Sequence, residues 1–489
     1  MSSSATEPER TAPAPTGAIV AVLAFTGIVV SLMQTLVIPL IPQLPTLLDA
    51  SAADTAWAIT ATLLAGAVAV PVMGRLGDMF GKRLLLLISL ALMIAGSITG
   101  ALSESLVPLI VGRALQGLAA GVIPLGISVM RDVLPREKLA GATATMGASL
   151  GVGGALGLPA AALIAEYADW HFLFWISAAL GVVVAVLVVI TVPESKVRTG
   201  GTFDAVGAAS LSLALITLLL AISKGSSWGW TSSTTVGLLA VAVVALGFWG
   251  WWELRTKQPL VDLRVSARRQ VLLTNLASVV FGFAMFAMTL VFPQVLQLPT
   301  ATGFGLGRSM LVTGLVMAPS GIVMMLIAPV SSRITTTRGP KTTLMIGAVI
   351  VSAGYLFGVV TMSAIWQLVA ISCIIGAGIG MAYGAMPALI MGAVPPSETA
   401  AANSLNTLMR SLGTSTASAV AGVILAQMTI TMGSTELPSQ AGFRVTMALA
   451  AGSALIALAL AAFLPRFTAA KSVVSTTSDA VDQESLTHN

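Results

Sequence analysis

The chain has 489 residues, of which 56% are hydrophobic and 9% are charged, and its net charge is +5. Soluble domains carry about 25% charged residues, so this composition excludes an ordinary water-soluble protein and predicts one surrounded mostly by lipid. One cysteine and two distant histidines exclude a disulfide framework and a metal cluster, and no cofactor is predicted. The basic residues lie in short segments between apolar runs, which favours membrane topology over nucleic-acid binding as the origin of the positive charge.

Fourteen apolar runs are each long enough to cross a bilayer as a helix, which takes about 20 residues. They are too long and too continuous for β-barrel strands, which alternate over about ten residues. The predicted spans begin near Gly17, Asp54, Leu84, Leu106, Leu139, His171, Phe203, Thr234, Val271, Ser309, Lys341, Trp366, Thr399 and Phe443. Residues 1–16 and 466–489 are polar and are predicted to be disordered cytoplasmic tails.

The distribution of Lys and Arg predicts a multi-pass protein of the cell membrane with both termini in the cytoplasm. With that orientation, 19 of the 24 basic residues lie on the cytoplasmic side. Three lie outside, namely Lys224, Arg308 and Arg444, and two, Arg113 and Arg410, fall within spans.

An internal repeat divides the chain. GRLGDMFGKR (74–83), between spans two and three, has an echo in SSRITTTRGPK (331–341), between spans ten and eleven. GASLG (147–151) is likewise echoed by MRSLG (409–413). The prediction is an all-α polytopic membrane protein with two six-helix bundles, 17–195 and 268–465, and a two-helix insert with its linker, 196–267. Secondary transporters are often built from such repeats, with the substrate site between them.

Three motifs follow one another in the first half. The turn between spans two and three contains Gly74, Arg75, Leu76, Asp78, Gly81, Lys82 and Arg83, and span four contains Leu109, Arg113, Gln116, Gly117 and Gly121. Span five carries the glycine ladder Gly147, Gly151, Gly154 and Gly157, followed by Pro159. These motifs resemble the major facilitator superfamily, and in particular its fourteen-span branch of drug:proton antiporters. The resemblance implies proton-coupled efflux of hydrophobic small molecules by alternating access.

The turn at 74–83 is the first candidate site. Glycines permit a close chain reversal, and Asp78 is able to accept hydrogen bonds from the free N–H groups at a helix start. The resemblance implies that this helix is span eleven and that Lys82 pairs with Asp132. We therefore expect a gating latch, made of Gly74, Arg75, Asp78, Gly81, Lys82, Arg83 and Asp132, that closes the cytoplasmic side. The alternative is a tight turn that only anchors the topology.

Arg113 is the second candidate. A charge within a span costs about 2.5–3.5 kcal/mol on insertion scales, so its side chain should face the bundle interior. It is predicted either to be a structural arginine bonded to backbone carbonyls or to couple transport to protons, with Gln116 and Asp54 as partners. The span-five glycines predict either close helix packing or, from the resemblance, a stiff antiporter helix.

The substrate cavity is the third candidate. Polar, aromatic and basic residues predicted to line it are Gln34, Asn275, Phe286, Tyr383, Asn403 and Arg410. The aspartate that the branch often carries in span one is replaced by Met33, and no Asp or Glu lies near the middle of a span. Neutral or anionic substrates are therefore favoured over divalent cations.

The predicted function is that of a transporter, and not of an enzyme, because no catalytic or phosphate-binding motif is present. Its predicted partners are a hydrophobic small molecule, protons and the lipid bilayer, without nucleic acid, and it is expected to act as a monomer. A dedicated exporter of one neutral or anionic metabolite and a proton-coupled uptake permease are the alternatives.

Overall fold

The computed structural model describes residues 16–37, 40, 44–195, 197–432 and 435–465. Within them, fourteen helices are long and apolar enough to cross a membrane, which confirms the predicted number of spans. The predicted tails, apart from Thr16, lie outside the described residues. The chain is therefore a multi-pass membrane protein.

The first six spans form one half of the bundle, with a core of buried aliphatic side chains of its own. Their helices are Thr16–Thr35, Trp57–Phe80, Lys82–Ala101, Leu106–Leu118 with Val122–Val133, Arg136–Tyr167 and His171–Thr191. A 3₁₀ turn, Ala119–Gly121, interrupts span four and was not predicted. Short helices Leu44–Leu47 and Ala52–Thr55 lie between spans one and two.

The last six spans form the second half, with a separate core. Their helices are Arg269–Gln297, Met310–Leu326 with Ala328–Arg338, Pro340–Val360, Ile365–Met391, Thr399–Gln427 and Gln440–Ala462. The 3₁₀ turns Thr300–Thr302 and Pro396–Glu398 precede spans ten and thirteen. Strands β1 (Thr429–Met432) and β2 (Thr435–Pro438) form an antiparallel hairpin before span fourteen, with Thr429 opposite Pro438 and Met432 opposite Thr435.

Spans seven and eight, Ala205–Trp228 and Ser233–Arg255, lie between the halves in sequence and are followed by the short helix Leu263–Ser266. Span seven packs against spans two and thirteen, so it contacts both halves, whereas span eight packs mainly on span seven. Asp204 caps span seven by accepting from the backbone N–H of Gly207 at 2.8 Å. The division of the chain at 195, 267 and 465 remains a prediction.

The two halves meet along two helix contacts that position the candidate sites. Span two packs on span thirteen, and span five packs on spans ten and twelve. Exposed apolar side chains cover the outer surface of many spans, as expected for helices solvated by lipid. We call the end of the bundle that carries Lys82, Arg131, Arg268 and Lys341 the basic face.

Candidate gating and cavity sites

Two glycines allow the turn between spans two and three to form against the other half. Gly81 has a φ of 126°, a backbone conformation that favours glycine, and it reverses the chain between Phe80 and Lys82. Gly74 lies against span thirteen: a Cβ placed there would lie 2.7 Å from the Cβ of Ser404 and 2.9 Å from the carbonyl oxygen of Ala400. The close approach of the two helices therefore depends on Gly74.

Asp78 is fully buried and caps a helix of the opposite half. Its carboxylate accepts from the backbone N–H groups of Ala400, at 3.3 Å, and Ala401, at 2.8 Å. Both belong to the first turn of span thirteen, where N–H groups have no partner within the helix and the dipole favours a negative charge. The predicted partner, span eleven, is wrong: the inserted pair of helices moves the equivalent helix two places along the chain.

A buried ion pair stands behind this cap. Lys82 is fully buried, and its Nζ lies 2.6 Å from Asp132 Oδ2 and 3.7 Å from Asp78 Oδ1. Ser195 Oγ donates to the same oxygen of Asp132, and Arg83 Nη2 donates to the carbonyl oxygen of Val189 at 2.6 Å. The expected contact between Lys82 and Asp132 is thus present, and it ties the turn to the end of span four.

Arg131 makes a second contact between the halves that the sequence analysis missed. Its Nη1 donates to Thr399 Oγ1 at 2.5 Å, and its Nη2 donates to the carbonyl oxygen of Val394 at 2.8 Å. Nη1 also lies 3.3 Å from the carbonyl oxygen of Pro395. Two of its three partners are backbone carbonyl oxygens in the other half, and backbone atoms leave no residue pattern from which the contact could be predicted.

Arg113 is buried in the first half and is held mainly by oxygen acceptors. Its Nη1 donates to Gln116 Oε1 at 2.7 Å and to the carbonyl oxygen of Met33 at 3.1 Å, and its Nε to that of Ala58 at 3.3 Å. Gln116 Nε2 in turn donates to Ser97 Oγ at 2.8 Å. The contacts with the two carbonyl oxygens are those of the structural alternative, and the contact with Gln116 is the one that the proton-coupling alternative names, so the role of Arg113 stays a prediction.

The hydrogen-bond partners of the Arg113 side chain among the described residues are Gln116, Met33 and Ala58, and not Asp54. The span was expected to begin near Asp54, but it begins at Trp57, and Asp54 lies in the separate helix Ala52–Thr55. Its carboxylate is exposed and accepts from Ser51 Oγ at 2.6 Å, and its backbone N–H donates to the same Ser51 Oγ at 3.1 Å. Ser51 thus caps the start of the short helix Ala52–Thr55, which is separate from the membrane-spanning helix that begins at Trp57.

The span-five glycines face two different neighbours. A Cβ on Gly147 would lie 2.8 Å from the backbone of Tyr383, and one on Gly151 would collide with Met324 Sδ, so both face the second half. Gly157 faces Thr35 of span one instead, and a Cβ on Gly154 would be in ordinary contact with Ser31 Oγ at 3.9 Å. Pro159 lies against Gly314 of span ten.

Three of the predicted cavity residues have polar or aromatic contacts: Asn275 is bonded to Asn406, and Arg410 lies over the ring of Tyr383. Asn406 Nδ2 donates to Asn275 Oδ1 at 2.9 Å and to Ser278 Oγ at 2.7 Å, all three being buried. The guanidinium of Arg410 lies 4.8 Å from the ring centroid of Tyr383, within reach of a cation–π interaction.

The other three predicted cavity residues lie apart from these groups. Asn403 is buried one turn into span thirteen, beside the capping site, where its Nδ2 donates to the carbonyl oxygen of Thr399 at 2.9 Å. Phe286 is half-buried on span nine, and Gln34 is exposed near the end of span one. Among the described residues, no hydrogen bond or ring contact joins these three to Arg410 or Tyr383.

Comparison with known proteins decides the family. The sequence model of one protein family, the Major Facilitator Superfamily, matches residues 23–418 and 339–482 of this chain. The chain belongs to the major facilitator superfamily. Its members are transporters and not enzymes, as predicted.

Curated relatives and a solved structure agree with this family. An MFS-type transporter of Mycobacterium tuberculosis is 32% identical over 304 residues, which cover 61% of this chain and 44% of that protein, so the match spans less than half of the relative. The tetracenomycin C resistance and export protein of Streptomyces glaucescens is 29% identical over 412 residues, or 81% and 73% of the two chains. The human organic anion transporter MFSD10 (TETRAN) shares the fold, with a TM-score of 0.65 and 16% identity. The match covers 91% of this chain and 99% of the transporter's chain.

Proposed function

We propose that this superfamily member exports hydrophobic small molecules, of the drug and antibiotic type, in exchange for protons. The basic face is cytoplasmic in this proposal, both termini lie in the cytoplasm, and one chain in the cell membrane suffices. The two halves rock against each other so that a central cavity opens to one side at a time. In this proposal, the contacts between the halves at the basic face keep the cytoplasmic side closed.

The observation that carries the proposal is the capping of span thirteen by Asp78. One carboxylate of the first half completes the hydrogen bonding of a helix in the second half. Charge-assisted hydrogen bonds of this kind are about twice as strong as neutral ones, and they exist only while the two helices are together. The contact therefore stabilises one of two arrangements of the halves, which is what a gate requires.

Two further features support export. The tetracenomycin C exporter is 29% identical to this chain over most of its length, and its name assigns it outward transport of an antibiotic. Gly147 lets span five approach the backbone of Tyr383 in the second half. In the proposal, this close packing keeps protons from leaking between the halves. In the proposal, Arg113 places a positive charge inside the first half and couples its hydrogen-bond network to protons.

Transport into inverted membrane vesicles tests the proposal. Respiring vesicles become acidic inside, and the protein should concentrate a neutral hydrophobic fluorescent compound in their lumen. A protonophore should release the compound, and vesicles without the protein should not accumulate it. Accumulation that is unaffected by the protonophore would contradict proton exchange, and accumulation only in right-side-out vesicles would indicate uptake.

A dedicated exporter of one neutral or anionic metabolite is the second candidate. It is favoured by the position of Arg410 over the Tyr383 ring, because a cation there attracts an anionic group. The four compounds to compare are one neutral, one anionic, one monovalent cationic and one divalent cationic. Export of a single anion would favour the metabolite exporter, whereas similar export of several neutral compounds would favour drug efflux. Preference for the divalent cation would contradict both.

A further inference from the structure

Two buried carboxylates, at the start of span seven and the end of span eight, belong to none of the sites described above. Asp204, which caps span seven, is 7% exposed, and Glu253, in the last turn of span eight, is 3% exposed. A Cβ on Gly207 would collide with Asp204 Oδ2 and would lie 2.9 Å from Glu253 Oε1. The two carboxylates therefore approach the same glycine and lie beside each other.

Asp204 has the donors that an ionised carboxylate requires. Its Oδ1 accepts from the backbone N–H of Gly207 at 2.8 Å, and the indole Nε1 of Trp252 lies 3.0 Å from Oδ1 and 3.1 Å from Oδ2. It also lies at the N-terminus of span seven, where the helix dipole favours a negative charge. These contacts favour the charged form of Asp204.

Glu253 has a less complete set of donors. Its Oε1 accepts from Trp249 Nε1 at 2.8 Å, whereas its Oε2 is buried without a hydrogen-bond partner among the described residues. The backbone N–H groups of Leu260 and Val261 face the carboxylate and favour its charge, but neither completes a hydrogen bond to Oε2. A buried charged oxygen without a donor is costly, and a neutral carboxyl group avoids most of that cost.

No cation compensates for this burial within the part of the chain that the structure describes. None of the ion pairs there includes Glu253, and the charge that acts on it is the like charge of Asp204. The nearby cations are engaged elsewhere. Arg264 Nη2 donates to the carbonyl oxygen of Leu254 at 2.9 Å, and the guanidinium of Arg255 lies over the ring of Trp251.

The remaining cation of this helix pair is remote from the two carboxylates. Lys224 belongs to the opposite end of span seven, where it lies over the ring of Trp57. The two carboxylates thus share a buried site without a cation, and in such a site one of the pair holds a proton. We propose that Glu253 is a proton-binding site of the insert and that it is protonated at neutral pH beside an ionised Asp204.

The position of this site connects proton binding to the two halves. Span seven, which Asp204 caps, packs against span two of the first half and span thirteen of the second. Release of the proton would place two negative charges beside Gly207 and weaken the contact between spans seven and eight. This role in transport rests on the proton exchange proposed above, whereas the binding of the proton does not.

Infrared difference spectroscopy of the purified protein in lipid tests the site, with pH as the variable. Between about pH 5 and about pH 9, the unaltered protein should lose the carbonyl band of a carboxylic acid, and Glu253→Gln should lack that change. Glu137→Gln, which removes an exposed carboxylate at the start of span five, is the matched control and should keep it. Identical spectra for Glu253→Gln and the unaltered protein would overturn the proposal.

A second variant decides the matter even where Glu253→Gln does not fold. Asp204→Asn keeps an acceptor for the Gly207 N–H and removes the like charge, so the band should disappear about one pH unit lower than in the unaltered protein. An unchanged midpoint would overturn the pairing of the two carboxylates. Because the measurement needs no substrate, it is separate from the vesicle assay: a band that depends on Glu253 in a protein whose transport ignores the protonophore would support the site and refute proton exchange.

Discussion

The turn between spans two and three and its repeat between spans ten and eleven have the same shape but different chemistry. Both reverse the chain at a glycine of positive φ, Gly81 at 126° and Gly339 at 86°. Both lie against a helix of the opposite half: Gly74 contacts span thirteen, and Ser332, at the equivalent place, contacts Gly141 of span five. The fold thus brings the two turns to pseudo-equivalent positions.

The two turns differ in the side chain that meets the opposite helix. Asp78 is buried and caps span thirteen, whereas Thr336, its equivalent, is exposed and donates to the carbonyl oxygens of Ser332 and Arg333 in its own helix. Lys341, equivalent to Arg83, donates to the carbonyl oxygens of Ala462 and Leu464 at 2.7 Å, within its own half. Only the first turn therefore joins the halves through a charge, and we infer that gating is concentrated there.

The largest effect is expected from Asp78→Asn. The variant removes the charge that holds the first turn of span thirteen and leaves Lys82 with Asp132 alone. Transport into inverted vesicles should fall at least tenfold, which corresponds to the loss of about 1.4 kcal/mol. The amount of inserted protein, measured by fluorescence of a fused reporter, should stay similar. Normal transport would reduce this turn to a topological anchor like its repeat.

The next largest effect is expected from Gly74→Ala. The new Cβ would lie within 3 Å of the carbonyl oxygen of Ala400, so spans two and thirteen would have to separate. Overpacking of this kind costs about 1–3 kcal/mol, and a several-fold loss of transport should accompany a lower melting temperature. Gly141→Ala is the matched control, because its nearest neighbour, Ser332 Oγ, is 3.4 Å away. Equal losses in both variants would mean that the two contacts are equivalent.

An intermediate effect is expected from Arg131→Gln. The variant keeps a donor but loses the charge that reaches Thr399 and the carbonyl oxygen of Val394 across the two halves. Transport should fall by a factor of about three to ten, less than for Asp78→Asn, because the cap of span thirteen survives. Arg333, in the repeat, is exposed, so Arg333→Gln should transport at the same rate as the unaltered protein. A loss as large in Arg333→Gln would remove the asymmetry between the turns.

The smallest effect is expected from Thr336→Val. The hydroxyl of Thr336 bonds only within its own helix and is exposed, so its loss should leave transport within about 20% of normal and stability within about 0.5 kcal/mol. Vesicle uptake and thermal unfolding measure both quantities. A strong defect would show that the repeat also takes part in gating.

The sequence is sufficient to predict the helices because apolar runs of this length have one stable structure in lipid. Every predicted span start lies within about four residues of the helix found, as boundary arguments allow. The pairing of β1 with β2 was missed, although TITM alternates polar and apolar residues and is followed in the sequence by a Gly-Ser pair. The 3₁₀ turn at Ala119–Gly121 was missed because it interrupts a continuous run of small and apolar residues.

The candidate sites are less predictable because their partners are remote in sequence. Asp78 and Ala401 are separated by 323 residues, and Arg131 and Val394 by 263. The motif around Asp78 points to a helix start, but counting spans without the insert gives the wrong helix. The contacts of Arg131 were not predicted because Arg131 belongs to none of the motifs and because most of its partners are backbone atoms. Asp54 shows the reverse case: it lies close in sequence to span two, yet it belongs to a separate helix.

Distance measurements between the halves test the gate most directly. Spin labels at Glu137→Cys, which begins span five, and Arg338→Cys, which ends span ten, report the opening of the basic face when Cys373 is replaced by serine. In lipid nanodiscs, double electron–electron resonance should show mainly the short distance of the closed face. Asp78→Asn should shift the population to a longer distance, and Thr336→Val should not. Identical distance distributions for the unaltered protein and Asp78→Asn would contradict a gate held by Asp78.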